Sequence, residues 1–74
     1  MKYEELMDVE GKTYELKLTE DAEKHFGRFF DIPMVGRITD VMDSFEEEGE
    51  GFYIAVDDEL TFIGVEDVVS MKEI

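Results

Sequence analysis

The chain has 74 residues, and 21 acidic residues against seven Lys and Arg give it a formal net charge of −14. It has no cysteine, so a disulfide framework and a thiolate metal site are excluded. Hydrophobic residues make up 43% of the chain, which is too many for a disordered acidic tail, and the length suits one domain over residues 1–74.

The charge is concentrated in the second half. Residues 1–37 hold nine acids and six bases, whereas residues 38–74 hold twelve acids and only Lys72. Binding to a nucleic-acid backbone depends on Lys and Arg, and anionic membranes repel acidic surfaces, so we expect neither direct nucleic-acid binding nor membrane binding. The partners that such a surface attracts are a divalent cation or a basic protein surface.

The chain begins without the apolar stretch of a signal peptide, and no apolar run approaches the roughly 20 residues that cross a bilayer. The sequence therefore predicts a cytoplasmic protein.

The first elements follow from hydrophobic spacing. Tyr3, Leu6 and Met7 have helical spacing and predict a short helix, which Gly11 ends. The stretch "KTYELKL" alternates apolar and polar residues and predicts a half-buried strand over 12–18.

The next segment has the spacing of an amphipathic helix. Thr19 is a suitable N-cap, and acidic residues follow it in the first turn, where the helix dipole favours negative charge. We predict a helix over about 20–30 that ends before Pro33, although Gly27 could end it earlier. Its apolar stripe, which we assign to the core, consists of Ala22, Phe26, Phe29 and Phe30.

After Met34 the pattern is that of short strands. Strands are predicted in "MVGRITDVMDSF", with Gly36 as a bulge or bend, in "FYIAV", in "LTFIG" and in "VVSMKEI". "EEEGEG" reads as a loop and "DDE" as a turn. The fold class is therefore α+β, a small, strongly bent antiparallel sheet or five-stranded barrel with one helix packed on it.

These elements resemble small Sm-like or SH3-like barrels and the C-terminal barrel of the ribosome-maturation factor family. The resemblance covers residues 11–74 and is carried by "GKTYELKL", "GRITDVMDS", "GFYIAV" and "LTFIGVEDVVSM". It implies a barrel and a tendency to associate in rings or pairs, and thus a possible homo-oligomer. The RNA-binding residues of Sm-like proteins do not carry over, because Asp40 and Asp43 have no matching Asn and Ile63 precedes Gly64 where Arg would stand. The helix also lies between the first two strands rather than before them.

Two acidic groups are candidate ligands for Ca²⁺ or Mg²⁺, which bind carboxylate oxygens. A loop beginning at Glu46 has the spacing of an EF-hand, but strands rather than helices flank it. If a cation binds here, a site of irregular geometry is a better interpretation than an EF-hand. The simplest interpretation is a solvated loop that binds no ion and whose charge discourages aggregation. The candidate ligands are Asp43, Glu46, Glu47, Glu48 and Glu50, with Asp57, Asp58 and Glu59 as a second group.

Catalytic residue patterns are missing from the sequence. His25 is the only histidine and has no evident nucleophile as a partner, and the chain has no phosphate-binding glycine loop. We therefore expect a non-enzymatic protein. We interpret Phe45, at the start of the acidic loop, as packed on the sheet, with an exposed anchor for a partner as the alternative.

The sequence thus favours a small acidic interaction module that engages a basic protein partner. The main alternative is a divalent-cation binding protein that uses the acidic loop. A further alternative is an inhibitor that mimics DNA, because carboxylates spaced along strands and loops can imitate a phosphate array.

Overall fold

A computed structural model describes all residues from 1 to 74 and shows a five-stranded antiparallel sheet with one α-helix. The α+β fold class predicted from the sequence is therefore confirmed. Short 3₁₀ turns precede the first and the last strand. The elements are Tyr3–Leu6 (3₁₀), β1 Thr13–Leu18, α1 Glu20–Phe26, β2 Met34–Met42, β3 Gly51–Val56, β4 Glu59–Gly64, Val65–Asp67 (3₁₀) and β5 Val68–Glu73.

The strand order in the sheet is β4-β3-β2-β1-β5. Strands β1 to β4 form neighbouring antiparallel pairs in chain order, and β5 returns to pair with β1 on its other side. Strands β4 and β5 do not pair, so the sheet is not closed into a barrel and has two edges. None of the helices is long and hydrophobic enough to cross a bilayer.

The core lies on one face of the sheet. Alternate side chains of a strand point to opposite faces, and in β2 the inward set begins with Met34 and continues to Ile38. Both of these side chains are fully buried, as are Phe52 and Ile54 of β3 and Ile63 of β4. The core is therefore built from alternate residues of these strands.

Gly36 does not form the bulge predicted for it. The irregularity in the pairing of β2 with β3 lies between Ile38 and Asp40 instead. A Cβ atom at Gly36 would collide with the carbonyl oxygen of Ala55. Glycine is needed at this position because the backbone of β3 approaches it closely.

Helix α1 begins as predicted and ends early. The Thr19 side chain accepts a hydrogen bond of 3.3 Å from the backbone N–H of Ala22, which is the interaction of an N-cap. The helix ends at Phe26 rather than near residue 30. Beyond Gly27 the backbone N–H of Phe29 bonds to the carbonyl of Phe26, three residues back instead of four, and the N–H of Phe30 shares that carbonyl, so the helix gives way to a tighter turn.

The early end of α1 also changes the predicted apolar stripe. Ala22 and Phe26 are buried, and Phe30 is half-buried against the core. Phe29 is 68% exposed, so its assignment to the core was wrong. Residues three apart share a face only within a helix, so Phe29 no longer lies on the same face as Phe26 once the helix has ended.

Candidate functional site

The acidic loop over 43–50 joins β2 to β3 and is built from short turns. Oδ1 of Asp43 accepts a hydrogen bond of 2.9 Å from the backbone N–H of Phe45, as an Asx turn does. The N–H of Glu46 bonds to the carbonyl of Asp43, and the N–H of Gly49 bonds to the carbonyl of Glu46. Gly49 has a φ of 83°, a conformation in which glycine carries no steric cost. Local hydrogen bonds thus fix the course of this loop.

One carboxylate of the loop is tied to the sheet. The Tyr53 hydroxyl, on the outer face of β3, donates a hydrogen bond of 2.7 Å to Oε2 of Glu48. This bond lowers the pKa of Glu48 and raises the pKa of Tyr53, because it favours the charged carboxylate and the neutral phenol. The Tyr53 ring also packs edge-on against Phe62 of β4, with the ring centroids 5.4 Å apart.

The second acidic group forms the hairpin between β3 and β4. Val56 pairs with Glu59, so the connection consists of Asp57 and Asp58 alone. Their φ angles are 50° and 67°, and two successive positive φ values are typical of a type I′ turn, the turn that suits a two-residue hairpin. All three acidic side chains of this group are exposed.

The structure does not bring the two groups together. Loop 43–50 and the Asp57–Asp58 turn lie at opposite ends of β3, and six residues of strand separate them by roughly 17 Å. No group of three or more carboxylate or histidine side chains is arranged so that it could hold a metal ion. The EF-hand spacing that begins at Glu46 spans a strand and a hairpin turn rather than one loop.

Phe45 is not packed on the sheet. Its side chain is 95% exposed at the tip of the acidic loop, so our interpretation of it as a packed residue was wrong. The backbone N–H of Phe45 bonds to Oδ1 of Asp43 within the loop, and the residue lies outside the strands of the sheet. An exposed side chain was the alternative for Phe45, and the turn geometry rather than its hydrophobicity decides between the two positions.

Few of the charges neutralise one another. Of the 21 acidic residues, Glu20 alone lies within ion-pair distance of a base, with 3.6 Å between its Oε1 and Nζ of Lys24. That pair is exposed on α1 and contributes little to stability. The remaining carboxylates therefore present uncompensated negative charge, and no acidic side chain is buried.

Burial affects one acidic side chain at the sheet margin. Asp67 is half-buried, and desolvation raises its pKa, to which the neighbouring Glu66 adds. Its backbone carbonyl accepts a hydrogen bond of 2.9 Å from the N–H of Thr19. The residue therefore joins the start of α1 to the turn before β5.

His25 has no catalytic arrangement around it. Its ring is exposed and packs edge-on against Phe26, with centroids 4.8 Å apart, and Phe29 lies 6.3 Å away on the same measure. The side chain makes no hydrogen bond or ion pair within the chain. These contacts place His25 on the surface beside an aromatic pair.

Sequence reasoning missed a surface beside Phe29. This exposed ring lies between two clefts, of about 250 and 640 Å³, that open between the end of α1 and the β3–β4 hairpin. Leu60 of β4 borders the smaller cleft, and Val35 of β2 borders the larger one. The signal that could have found it is Gly27, since an early helix end would expose Phe29.

No protein-family model, no curated protein and no solved structure matches this chain.

Proposed function

We propose that the protein is a non-enzymatic acidic module that binds a basic protein surface. The observation that carries this proposal is the surface charge: a chain with 21 acidic residues has a single ion pair, between Glu20 and Lys24. Uncompensated charge of one sign steers an oppositely charged protein toward the surface and accelerates association.

The scaffold supports a binding role. Strands β2 to β4 present an outer face with half-buried Tyr53 and Phe62 in contact, and Glu48 lies against it. A rigid sheet that displays aromatic and acidic side chains can hold a partner with little loss of conformational entropy. The strand order, with β5 returning to β1, is compatible with the resemblance to Sm-like and SH3-like barrels, which we keep as part of the proposal.

A tagged chain tests this proposal in a pull-down from lysate of its source organism. We expect retained proteins that are basic, that are released at high salt and that form a saturable complex with the chain when purified. A sulfonate cation-exchange resin serves as the control for generic attraction to negative charge. If the chain retains only what the resin retains, and no purified partner saturates, the proposal is wrong.

The same experiment separates the DNA-mimic alternative. If the purified partner is a DNA-binding protein, duplex DNA should displace the chain from it at equal salt. A partner that binds chain and DNA together would exclude mimicry and leave the general proposal intact.

A further inference from the structure

Strand β4 is an open edge of the sheet. It pairs with β3 and has no neighbour on its other side. In a two-residue hairpin the flanking pair, Val56 and Glu59, is hydrogen-bonded, so the backbone groups of Leu60 and Phe62 point away from β3. The bond of 3.1 Å from the N–H of Val65 to the carbonyl of Glu50 continues this alternation. The edge therefore offers main-chain donors and acceptors to another strand.

Exposed apolar side chains lie on this edge strand and beside the β3–β4 hairpin. Leu60, on β4 itself, is 58% exposed and lines the smaller cleft together with Phe29. Val35 is 40% exposed and lines the larger cleft together with Phe29. Clustered exposed apolar side chains mark a surface that another molecule covers.

The charge around the clefts indicates what that molecule is. Asp31, Asp57 and Glu59 line the larger cleft, and Arg28 is the base among its lining residues. A Lys or Arg side chain could lay its aliphatic stem on the Phe29 ring and extend its charged end to these carboxylates. The cleft therefore complements a basic side chain carried on an apolar stem.

We infer that the β4 edge and the clefts at Phe29 together bind an extended segment of a partner protein in which basic and apolar residues alternate. The segment adds to the sheet beside β4, in the manner of β-strand addition. This inference rests on the proposed function and names its surface. A second copy of the chain is a poorer occupant, because each copy carries a charge of −14.

A peptide of alternating Lys and Val is the probe, titrated into the ¹⁵N-labelled protein and followed by ¹H–¹⁵N spectra and calorimetry. We expect saturable shifts that are largest in β4 and at 27–31. A control peptide of the same Lys–Val sequence with every backbone nitrogen methylated keeps the charge but, like proline, has no backbone N–H to donate. It should bind at least about tenfold more weakly, since pairing along an edge needs several such bonds.

Matched variants locate the surface. Replacing two carboxylates at the cleft, in the variant D57N/E59Q, should weaken binding about three- to tenfold at low salt. Removing the same charge from the acidic loop, in E46Q/E47Q, should weaken it less than twofold. F29A should weaken binding at least about fivefold, whereas F45A removes an even more exposed ring elsewhere and should have no effect.

The results distinguish failure of the proposed function from failure of the proposed site. If the Lys–Val peptide does not bind the wild-type chain, this inference is wrong, and the pull-down alone decides the proposed function. If the peptide binds but both charge variants weaken it equally, or the N-methylated peptide binds as well, the protein is a basic-partner module without this site. Sedimentation showing a dimer, with β4 amides protected from exchange, would make a second copy the occupant and overturn the inference.

Discussion

The Tyr53 hydroxyl donates a hydrogen bond of 2.7 Å to Oε2 of Glu48, so the end of the acidic loop is joined to the outer face of β3. Both side chains lie at the surface. The bond nevertheless lowers the pKa of Glu48 and raises the pKa of Tyr53. One loop carboxylate therefore has a fixed position, while its neighbours Glu46 and Glu47 make no side-chain hydrogen bond.

We predict that Tyr53→Phe raises the pKa of Glu48 toward its ordinary value. Because the bond lowers the pKa of Glu48 in the folded chain, its contribution to stability is present above the unfolded pKa and is lost as pH falls through the folded pKa. The raised pKa of Tyr53 gives a contribution that is present below the unfolded tyrosine pKa and is lost as pH rises through the folded value.

Carboxyl ¹³C NMR titration measures the Glu48 shift, and urea unfolding at neutral and acid pH measures the stability. The difference in stability between wild type and Y53F should shrink toward acid pH. Tyr14→Phe is the control, since the Tyr14 hydroxyl makes no hydrogen bond. An unchanged Glu48 pKa in Y53F would contradict the prediction.

Replacing Asp58 of the hairpin turn with glycine should stabilise the protein. Asp58 has a φ of 67°, in the left-handed region, where a residue other than glycine is disfavoured by about 1 kcal/mol. Asp58→Gly should therefore raise the urea midpoint, by roughly 0.5–1 kcal/mol in unfolding free energy.

Glu59→Gln removes the same charge beside the turn without changing a residue of positive φ. It separates relief of charge repulsion from relief of backbone strain, and its effect should be smaller than that of D58G. If the urea midpoint of D58G is lower than that of wild type, the positive φ of Asp58 does not cost the folded protein stability.

Salt should stabilise the protein. With a net charge of −14 and one exposed ion pair, the repulsion that screening removes exceeds the attraction that it weakens. The melting temperature, followed by circular dichroism, should rise from low to moderate NaCl. A flat or falling melting temperature over that range would mean that the charges lie too far apart for their repulsion to matter.

Calcium should act on this chain as ionic strength does. The candidate ligands of loop 43–50 and of the Asp57–Asp58 turn lie at opposite ends of β3, and no three carboxylates are arranged to hold an ion, whereas Ca²⁺ needs six to eight oxygen ligands. Titration with CaCl₂ should give the same ¹H–¹⁵N shifts as NaCl of matched ionic strength. Saturable shifts confined to 43–50 or 57–59 would establish a cation site instead.

Local sequence pattern was sufficient for most elements. Alternation over residues 13–18 identified β1 because alternate side chains of a strand face opposite sides of the sheet. Thr19 identified the start of α1 because its hydroxyl oxygen accepts a backbone N–H in the first turn. These features depend on neighbours within a few residues, which the sequence displays directly.

The end of α1 shows where local pattern fails. Phe29 has the spacing of a buried helical residue, but the chain leaves the helix at Gly27 and Phe29 is exposed. Spacing describes which residues would share a face if the helix continued. It does not say whether the helix continues, since that depends on hydrogen bonds and packing after the glycine.

The sequence by itself determined the composition of the surface: an excess of carboxylates with too few bases to pair them, on a chain apolar enough to fold. Only the tertiary structure decided where those carboxylates stand. Strand β3 holds loop 43–50 and the Asp57–Asp58 turn at its opposite ends, and its pairing with β2 and β4 does not bring them back together. The same pairing leaves β4 without a partner strand beside the exposed Phe29, because strand order and register depend on contacts between residues far apart in the chain.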